Sequence, residues 1–287
     1  MSTHELIVAL GETRYRVERP FGAWPANAGF VSDVAVDGRG HVFVLLRHDS
    51  QTQPDDPRVI ELDAEGRHLG GWGGDTIADG HMLTVDAEGR VIVVDRDMHE
   101  VIWFSPQGER LGQLGARGVP LAPFNHPTDV SVSPWGEIYV ADGYAASHVH
   151  RFSADGALIA TWGELGFAPG EFGEPHGIWT FADGRVVVID RTRDRVQVFD
   201  RDGAVLDVWT GFYRPVAIWG DPEGRAFITD QGPSLHLIGA DGVRIGRARP
   251  MLNGAHGIFG TPGGDLFLAE SSPSRITRLR PIGSGEV

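Results

Sequence analysis

The chain repeats one hydrophobic pattern six times. In each copy a short apolar segment leads into an Asp-Gly-type turn, and a second apolar segment follows that usually ends in an acidic residue, as in "HMLTVDAEGRVIVVD", "HGIWTFADGRVVVID" and "HGIFGTPGGDLFLAE". Third segments such as "RVQVFDRDGAVL" come next, and fourth segments carry Trp and Gly, as in "IATWGE". Short β-branched segments joined by such turns are typical of antiparallel hairpins, and no stretch shows a helical period.

Six copies spaced by roughly 35–48 residues predict an all-β, six-bladed β-propeller with four strands in each blade. We expect a single domain over residues 1–287, because no linker or composition break divides the chain. The last copy ends after its third segment, and the N-terminal segment 13–19, "TRYRVER", can supply the missing outer strand and close the ring. The predicted blades are approximately 30–74, 75–118, 119–166, 167–211, 212–248, and 249–282 together with 13–19.

Aligning the copies by their turns places a histidine at the start of the innermost strand in alternate copies. We call these six aligned positions the rim column: Ser32, His81, Thr128, His176, Val216 and His256. Innermost strands line the central channel, so alternate members of the column form a triangle. A single histidine at a strand start is usually a hydrogen-bonded residue, but three in strict alternation favour a metal site. Three imidazoles with an open position suit zinc, although other divalent transition ions also fit.

A second set of positions directly follows the second strand of each copy. Because a hairpin returns to the end where it began, these residues lie on the same side as the histidines. They are Arg47, Arg96, Gly143-Tyr144, Arg191, Gln231 and Ser271. Arginines here favour recognition of a carboxylate or phosphate, and a tyrosine beside a metal can act as general acid or base.

Each of these assignments has a structural alternative. The arginines can form salt bridges with the acids that end the second strands, which we favour for Arg96, and Tyr144 can simply pack against its neighbours. The acids in question are Asp95, Asp142 and Asp190. Three further histidines flank the third copy and are candidate partners of the ligands, namely His126, His148 and His150.

Composition narrows the function classes. The net charge is −14, and all 25 basic residues are arginine, which argues against nucleic acid or an anionic membrane as partner. The chain has no cysteine, so it has neither disulfides nor thiolate metal ligands. The N-terminal residues are too charged for a signal peptide, and no apolar run approaches the ~18 residues of a membrane span. We therefore expect a cytoplasmic protein of unknown oligomeric state.

The stretch Asn125–Trp179, "NHPTDVSVSPWGEIYVADGYAASHVHRFSADGALIATWGELGFAPGEFGEPHGIW", followed by "VVVIDRTRDRVQVFD", resembles peptidyl-α-hydroxyglycine α-amidating lyases, a family of NHL-repeat propellers. The likeness is weaker but traceable from near residue 30 to near residue 280. It implies an NHL-type propeller with zinc held by the three rim histidines. It also implies a catalytic tyrosine at Tyr144 in "ADGYAAS", and site arginines at Arg47 in "LLRHD" and at Arg191.

The sequence departs from this family at two site positions. Ala145 follows the tyrosine where the family has a cysteine, which is consistent with a reducing compartment. Gly257 follows the third histidine where the family has an aspartate that helps to bind calcium, together with carbonyls that correspond to Val34 and Leu83. Loss of that carboxylate argues against a calcium site.

The resemblance implies a zinc-dependent lyase with a small carboxylate substrate. The substrate is an α-hydroxyglycine or related hemiaminal, whose C–N or other C–heteroatom bond breaks to release an amide-type product and glyoxylate or a related carbonyl compound. Tyr144 removes the hydroxyl proton, and Arg47 and Arg191 hold the carboxylate. Two alternatives remain: a metal-dependent hydrolase of lactones or esters in the same channel, and a non-catalytic NHL scaffold that binds a protein.

Overall fold

A computed structural model describes residues 5–24, 29–48, 56–251 and 253–283. These residues form 25 strands in six antiparallel sheets, and their only helical segment is the 3₁₀ turn Arg191–Arg193. The predicted all-β, six-bladed propeller is confirmed. The prediction of one domain over residues 1–287 also covers segments that lie outside the described residues.

The first five blades each have four strands, which run in chain order from the channel outwards. Blade one contains β3 Phe30–Val36, β4 Val42–Arg47, β5 Val59–Leu62 and β6 His68–Trp72. Blade two contains β7 Gly80–Val85, β8 Val91–Asp95, β9 Glu100–Phe104 and β10 Arg110–Leu114. Blade three contains β11 Pro127–Val132, β12 Ile138–Asp142, β13 His148–Phe152 and β14 Leu158–Trp162. Blade four contains β15 Pro175–Thr180, β16 Val186–Asp190, β17 Arg195–Phe199 and β18 Val205–Trp209. Blade five contains β19 Pro215–Gly220, β20 Ala226–Asp230, β21 Ser234–Ile238 and β22 Arg244–Ala248.

Blade six joins the two ends of the chain. Its inner strands are β23 Ala255–Gly260, β24 Leu266–Ser271 and β25 Ser274–Ile282, and its outer strands are β2 Thr13–Phe21 and β1 Ile7–Leu10. Strand β2 pairs antiparallel with β25, as the sequence predicted, and thereby closes the ring. The additional outer strand β1 was not predicted.

Burial explains why the second strand of each blade is the most apolar. All five residues of β8 and of β16 are buried, because these strands have a blade packed on each face, whereas β10 is mostly exposed. The turns are fixed by side chains: in blade two, Asp86 accepts the backbone N–H groups of Glu88 and Arg90, and Gly89 has φ +78°. Such a positive φ favours glycine.

Every innermost strand is irregular at the rim column. In blade four the pairing passes from Pro175–Asp190 to Ile178–Val188, which leaves His176 out of the regular ladder. The same break occurs in the other five blades, between Val31 and Asp33, Gly80 and Leu83, Pro127 and Asp129, Pro215 and Ile218, and Ala255 and Gly257. A β-bulge re-aims side chains, so the rim residues are not bound to the alternation of a regular strand.

Aromatic side chains fill the channel at the end opposite to the rim column. Trp179, Trp219 and Phe259, from blades four to six, pack with ring centroids 6.3 to 6.4 Å apart. Between them and the rim lies a cavity of about 20 Å³, lined in part by Asp33 and Asp129, which has room for about one water molecule. These aromatic side chains and the small cavity leave little open space in the channel below the rim.

Candidate metal centre

Three histidine side chains converge at the mouth of the channel. His81, His176 and His256 lie at the starts of β7, β15 and β23, on alternate blades. Their ring centroids are 5.0, 4.8 and 5.3 Å apart, and each offers one ring nitrogen to a group whose atoms all lie within 4.8 Å of one another. The three predicted ligands thus form a group that can hold a metal ion; we call it the histidine triad.

Each histidine of the triad is anchored by the rim residue of the following non-histidine blade. The ring Nδ1 lies close to a backbone carbonyl oxygen, which can only accept a hydrogen bond. Nδ1 therefore carries the hydrogen, and Nε2 is left with the lone pair that a metal needs. The Nδ1–O distances are 2.6 Å from His81 to Thr128, 2.8 Å from His176 to Val216 and 2.9 Å from His256 to Ser32.

Burial keeps the triad uncharged. His81 and His176 are fully buried, and His256 is partly buried. Burial lowers the pKa of His81 and of His176 well below the usual value, and lowers the pKa of His256 to about 4. The positive charge of Arg191 further lowers the pKa of His176. Neutral imidazole is the form that binds metals, so the donor set fits a divalent transition ion at neutral pH.

Tyr144 contacts two members of the triad. Its hydroxyl lies 2.9 Å from Nε2 of His81 and 3.3 Å from Nε2 of His176. Neither nitrogen carries a hydrogen, so the single hydrogen of the hydroxyl can be donated to either one. The preceding Gly143 permits this approach: a Cβ there would lie 1.9 Å from the carbonyl oxygen of Pro175. Glycine is thus required for the loop after β12 to pack against the start of β15.

Arg191 contacts both the triad and the tyrosine. Its Nη1 donates to Nε2 of His176 at 2.8 Å, and its Nη2 is ion-paired with Glu174. The guanidinium carbon lies 5.3 Å from the centre of the Tyr144 ring, within range of a cation–π interaction. Glu174 therefore holds the guanidinium group against Nε2 of His176.

Arg47 and Arg96 share a single carboxylate. Nε and Nη2 of Arg47 bind Asp79 at 2.8 and 2.7 Å, and Nη2 of Arg96 lies 2.5 Å from the same carboxylate. Arg96 also donates from Nε to Asp97 at 2.8 Å. The expectation that Arg96 pairs with a strand-end acid is therefore wrong.

The strand-end acids have a different role, which explains that error. Asp95 accepts the backbone N–H groups of Ala78 and Asp79 at 2.8 and 3.0 Å. Asp190 likewise accepts those of the residues preceding β15, Gly173 and Glu174 at 2.8 and 3.1 Å. These acids fix the entry loops whose own carboxylates, in Asp79 and Glu174, then hold the arginines.

The remaining candidates have their contacts elsewhere. His150 hydrogen-bonds Asp142 and Thr161 within blade three, and His126 bonds through Nδ1 to Asn125. The structure assigns no role at the triad to the other three candidates, namely His148, Gln231 and Ser271.

Asp33 of blade one fills the space beside Gly257. A Cβ at Gly257 would lie 1.7 Å from Oδ1 of Asp33. That carboxylate accepts the backbone N–H groups of Val34 and Leu83. The absence of a side chain at Gly257 in blade six thus leaves the space that the carboxylate of Asp33 in blade one occupies. The lack of a calcium site at this position stays a prediction.

A large surface groove lies away from the triad. It has a volume of about 780 Å³ and runs between the hairpin turns of blades two and three, at the aromatic end of the propeller. Its lining includes Trp103, Arg90 and Asp155, and it contains no member of the triad. Convergent donors and lowered pKa values favour the triad, rather than this groove, as the candidate functional site.

Fold and triad together define a six-bladed β-propeller with a potential metal centre at one mouth of its channel. No family model matches the sequence. The sequence is nevertheless similar over most of its length to amidating-lyase-like proteins with NHL-repeat propellers, as its relatives show.

Three curated relatives illustrate the family. NHL repeat-containing protein 3 of Mus musculus is 28% identical over 72% of this chain and 65% of its own length. A probable peptidyl-α-hydroxyglycine α-amidating lyase of Caenorhabditis elegans is 28% identical over 88% of this chain and 83% of its own length. Peptidyl-α-hydroxyglycine α-amidating lyase 1 of Drosophila melanogaster is 30% identical over 90% of this chain and 54% of its own length. The chain thus spans less than two thirds of the mouse and fly proteins.

Solved structures share the fold at lower identity. A gluconolactonase of Xanthomonas campestris superposes with a TM-score of 0.69 at 16% identity, covering 95% of this chain and 91% of its own. A catalytically inactive virginiamycin B lyase of Staphylococcus aureus with quinupristin superposes with a TM-score of 0.66 at 16% identity, covering 95% of this chain and 87% of its own. Such identities show the propeller alone. Among the described residues, no helix has the length and apolar character to cross a membrane.

Proposed function

We propose that the protein is a metal-dependent lyase that acts on N-acyl-α-hydroxyglycines or related hemiaminal carboxylates. The reaction breaks the bond between the acylated nitrogen and the hydroxyl-bearing carbon, and it releases an amide and glyoxylate. The observation that carries the proposal is the contact of the Tyr144 hydroxyl with Nε2 of both His81 and His176. A proton-transfer group thus lies directly beside nitrogens that can bind a metal.

His81, His176 and His256 would hold the ion, with zinc as the favoured metal. When bound, the ion would supply Lewis-acid chemistry, which lowers the pKa of a substrate hydroxyl. Three neutral ligands leave the charge of a divalent ion uncompensated, which suits an anionic substrate.

Tyr144 moves the proton. As the C–N bond breaks, its electron pair goes to the nitrogen, the hydroxyl loses its proton and the carbon–oxygen double bond forms. The nitrogen gains one proton, so the reaction consumes none overall. Tyr144 gives its own hydroxyl proton to the leaving nitrogen and takes the proton of the substrate hydroxyl in exchange, so it acts as general acid and general base in one relay.

Arg191 and Arg47 stabilise the negative charges of the reacting oxygen and of the substrate carboxylate. Arg191 is held by Glu174 against His176, so it stabilises the oxygen that becomes the carbonyl. Arg47 is held by Asp79 in a bidentate pair and holds the substrate carboxylate. Both guanidinium groups are mostly buried, with 12% and 18% of the side chain exposed, and reduced contact with water strengthens their interactions.

The proposal is tested by metal analysis of the purified protein joined to assays for glyoxylate release from N-acyl-α-hydroxyglycines. We expect a tightly bound transition metal and turnover that a chelator abolishes. Tyr144→Phe should lower kcat by roughly 100-fold or more, because the proton-transfer group is lost while the ligands remain. Elemental analysis of this variant controls for metal content.

Three outcomes would contradict the proposal. Full turnover by metal-loaded Tyr144→Phe would remove the tyrosine from the mechanism. Hydrolysis of lactones or esters without glyoxylate release would indicate the hydrolase alternative. A metal-free preparation whose properties do not change in His176→Ala would indicate a scaffold.

A further inference from the structure

We propose that Arg96 is a third arginine of this site and that it forms, with Arg47 and their shared Asp79, the pocket for the substrate carboxylate. The inference rests on the proposed function for the identity of the substrate. Arg96 thereby gains a role in substrate binding, whereas its residue type and its position after a strand-end acid also suit an ordinary surface salt bridge.

The two arginines occupy equivalent places on neighbouring blades. Arg47 ends β4 of blade one, and Arg96 directly follows β8 of blade two. Asp79 lies between them at the entry to β7, and its backbone N–H is fixed by Asp95 at 3.0 Å. Both guanidinium groups therefore take their positions from one carboxylate that the fold itself holds in place.

Each of the two arginines keeps one terminal nitrogen available. Arg47 uses Nε and Nη2 for Asp79, and Arg96 uses Nε for Asp97 and Nη2 for Asp79. Nη1 of each has no hydrogen-bond partner among the described residues. The side chains are 18% and 24% exposed, so these groups remain accessible. Two guanidinium N–H donors beside one fixed carboxylate suit the two oxygens of a bound carboxylate.

Arg191 is placed differently. Its Nη1 donates to His176, and its Nη2 pairs with Glu174. Its Nε is buried without a partner. Its Nη1 thus points at the nitrogen of His176 that would bind the metal, which favours a role at the reacting oxygen over a role in carboxylate binding.

Arg96 also lies beside the proposed acid and base. Its guanidinium carbon is 5.4 Å from the centre of the Tyr144 ring, and that of Arg191 is 5.3 Å from the same ring. The phenol is therefore flanked by two cations. A carboxylate bound by Arg96 would lie next to the tyrosine that moves the proton, as an α-hydroxy acid requires.

The test measures binding of glycolate and of its uncharged analogue glycolamide to metal-loaded protein by calorimetry, together with KM and kcat for the proposed substrate. Arg96→Gln should weaken glycolate binding and raise KM by about 10- to 100-fold, the usual effect of losing one charged hydrogen bond. Glycolamide binding and kcat should change much less. Arg96→Lys should restore only part of the affinity, because an ammonium group cannot reproduce the planar pair of donors.

Arg90→Gln is the matched control. Arg90 lies just before β8, at the opposite end of the strand from Arg96, and is ion-paired with Asp86. This variant should bind glycolate like the wild type.

The outcomes separate this inference from the proposed function. Glycolate binding that Arg96→Gln leaves unchanged would overturn the inference even if glyoxylate is released. Equal losses for glycolate and glycolamide would also overturn it, because they would indicate a merely structural role. Selective loss of glycolate binding in a protein that releases no glyoxylate would support the carboxylate pocket and contradict the proposed lyase activity.

Discussion

The blades with a rim histidine and the blades without one differ in what they give to the site. Blades two, four and six each contribute an imidazole side chain. Blades one, three and five contribute a backbone carbonyl, from Ser32, Thr128 and Val216, that accepts the hydrogen bond of an imidazole Nδ1. The ring thus alternates ligand and anchor.

This difference explains why only half of the positions in the rim column share one residue type, histidine. A ligand must be a particular side chain, whereas every residue has a carbonyl to offer. Ser, Thr and Val each supply this carbonyl, so the anchor positions share no residue type that an alignment of the repeats could reveal. The anchors also set the tautomer of each histidine, which a metal ligand depends on.

The largest expected effect comes from changing a ligand rather than an anchor. His176→Ala removes one of three ligands and should weaken metal binding by more than about 100-fold, beyond the usual cost of losing an outer partner of a ligand. Val216→Ala keeps the carbonyl that anchors His176, so it should retain the metal. Chelator competition followed by elemental analysis compares the two. Equal metal loss in both variants would contradict the division into ligands and anchors.

A smaller effect is expected in blade three, which supplies an anchor carbonyl and also contributes the Tyr144 side chain to the site. Gly143→Ala places a Cβ 1.9 Å from the carbonyl oxygen of Pro175, which must displace the loop that carries Tyr144. We expect a loss of stability of about 1–3 kcal/mol and a fall in kcat of roughly 10- to 100-fold, with metal still bound. Gly38→Ala, which has no atom within 4 Å of the new Cβ, is the control. Wild-type kcat in Gly143→Ala would show that the loop tolerates displacement.

The smallest effect on the site itself is expected at the residue after an anchor, where the change is in stability alone. Asp129 follows Thr128 and is buried, and burial raises its pKa to about 7. Since this folded value exceeds the unfolded one of about 4, the carboxyl's contribution to stability is complete below pH 4 and is lost as the pH rises to about 7. Asp129→Asn cannot ionise, so its destabilising effect should be larger at pH 5 than at pH 8, by up to about 3 kcal/mol. Urea unfolding at both pH values measures this difference, and equal effects would contradict the raised pKa.

The sequence predicted the fold well, because each repeat carries its own turns and apolar strands. It also singled out the three histidines, since their alternation is visible in an alignment of the repeats. Their anchors could not be predicted. The hydrogen bond from His256 to the backbone carbonyl of Ser32, for example, links residues at opposite ends of the chain and does not depend on the side chain of Ser32.

The arginines show a second limit of the sequence. Arg96 follows an acid, so a local salt bridge was the reasonable expectation. That acid, Asp95, is instead occupied by the backbone of the preceding loop. Which carboxylate holds which guanidinium group depends on the loop path between blades, and the β-bulges at the rim also have no clear signature in the repeat.

The aromatic packing of Trp179, Trp219 and Phe259 has a kinetic consequence for the proposed enzyme. Because these rings pack into the far end of the channel, the departing carbonyl product leaves through the same mouth that the next substrate enters. Substrate and product then compete for the same channel mouth as well as for the same arginines. Turnover in such an enzyme slows as product accumulates, unless a following reaction removes it.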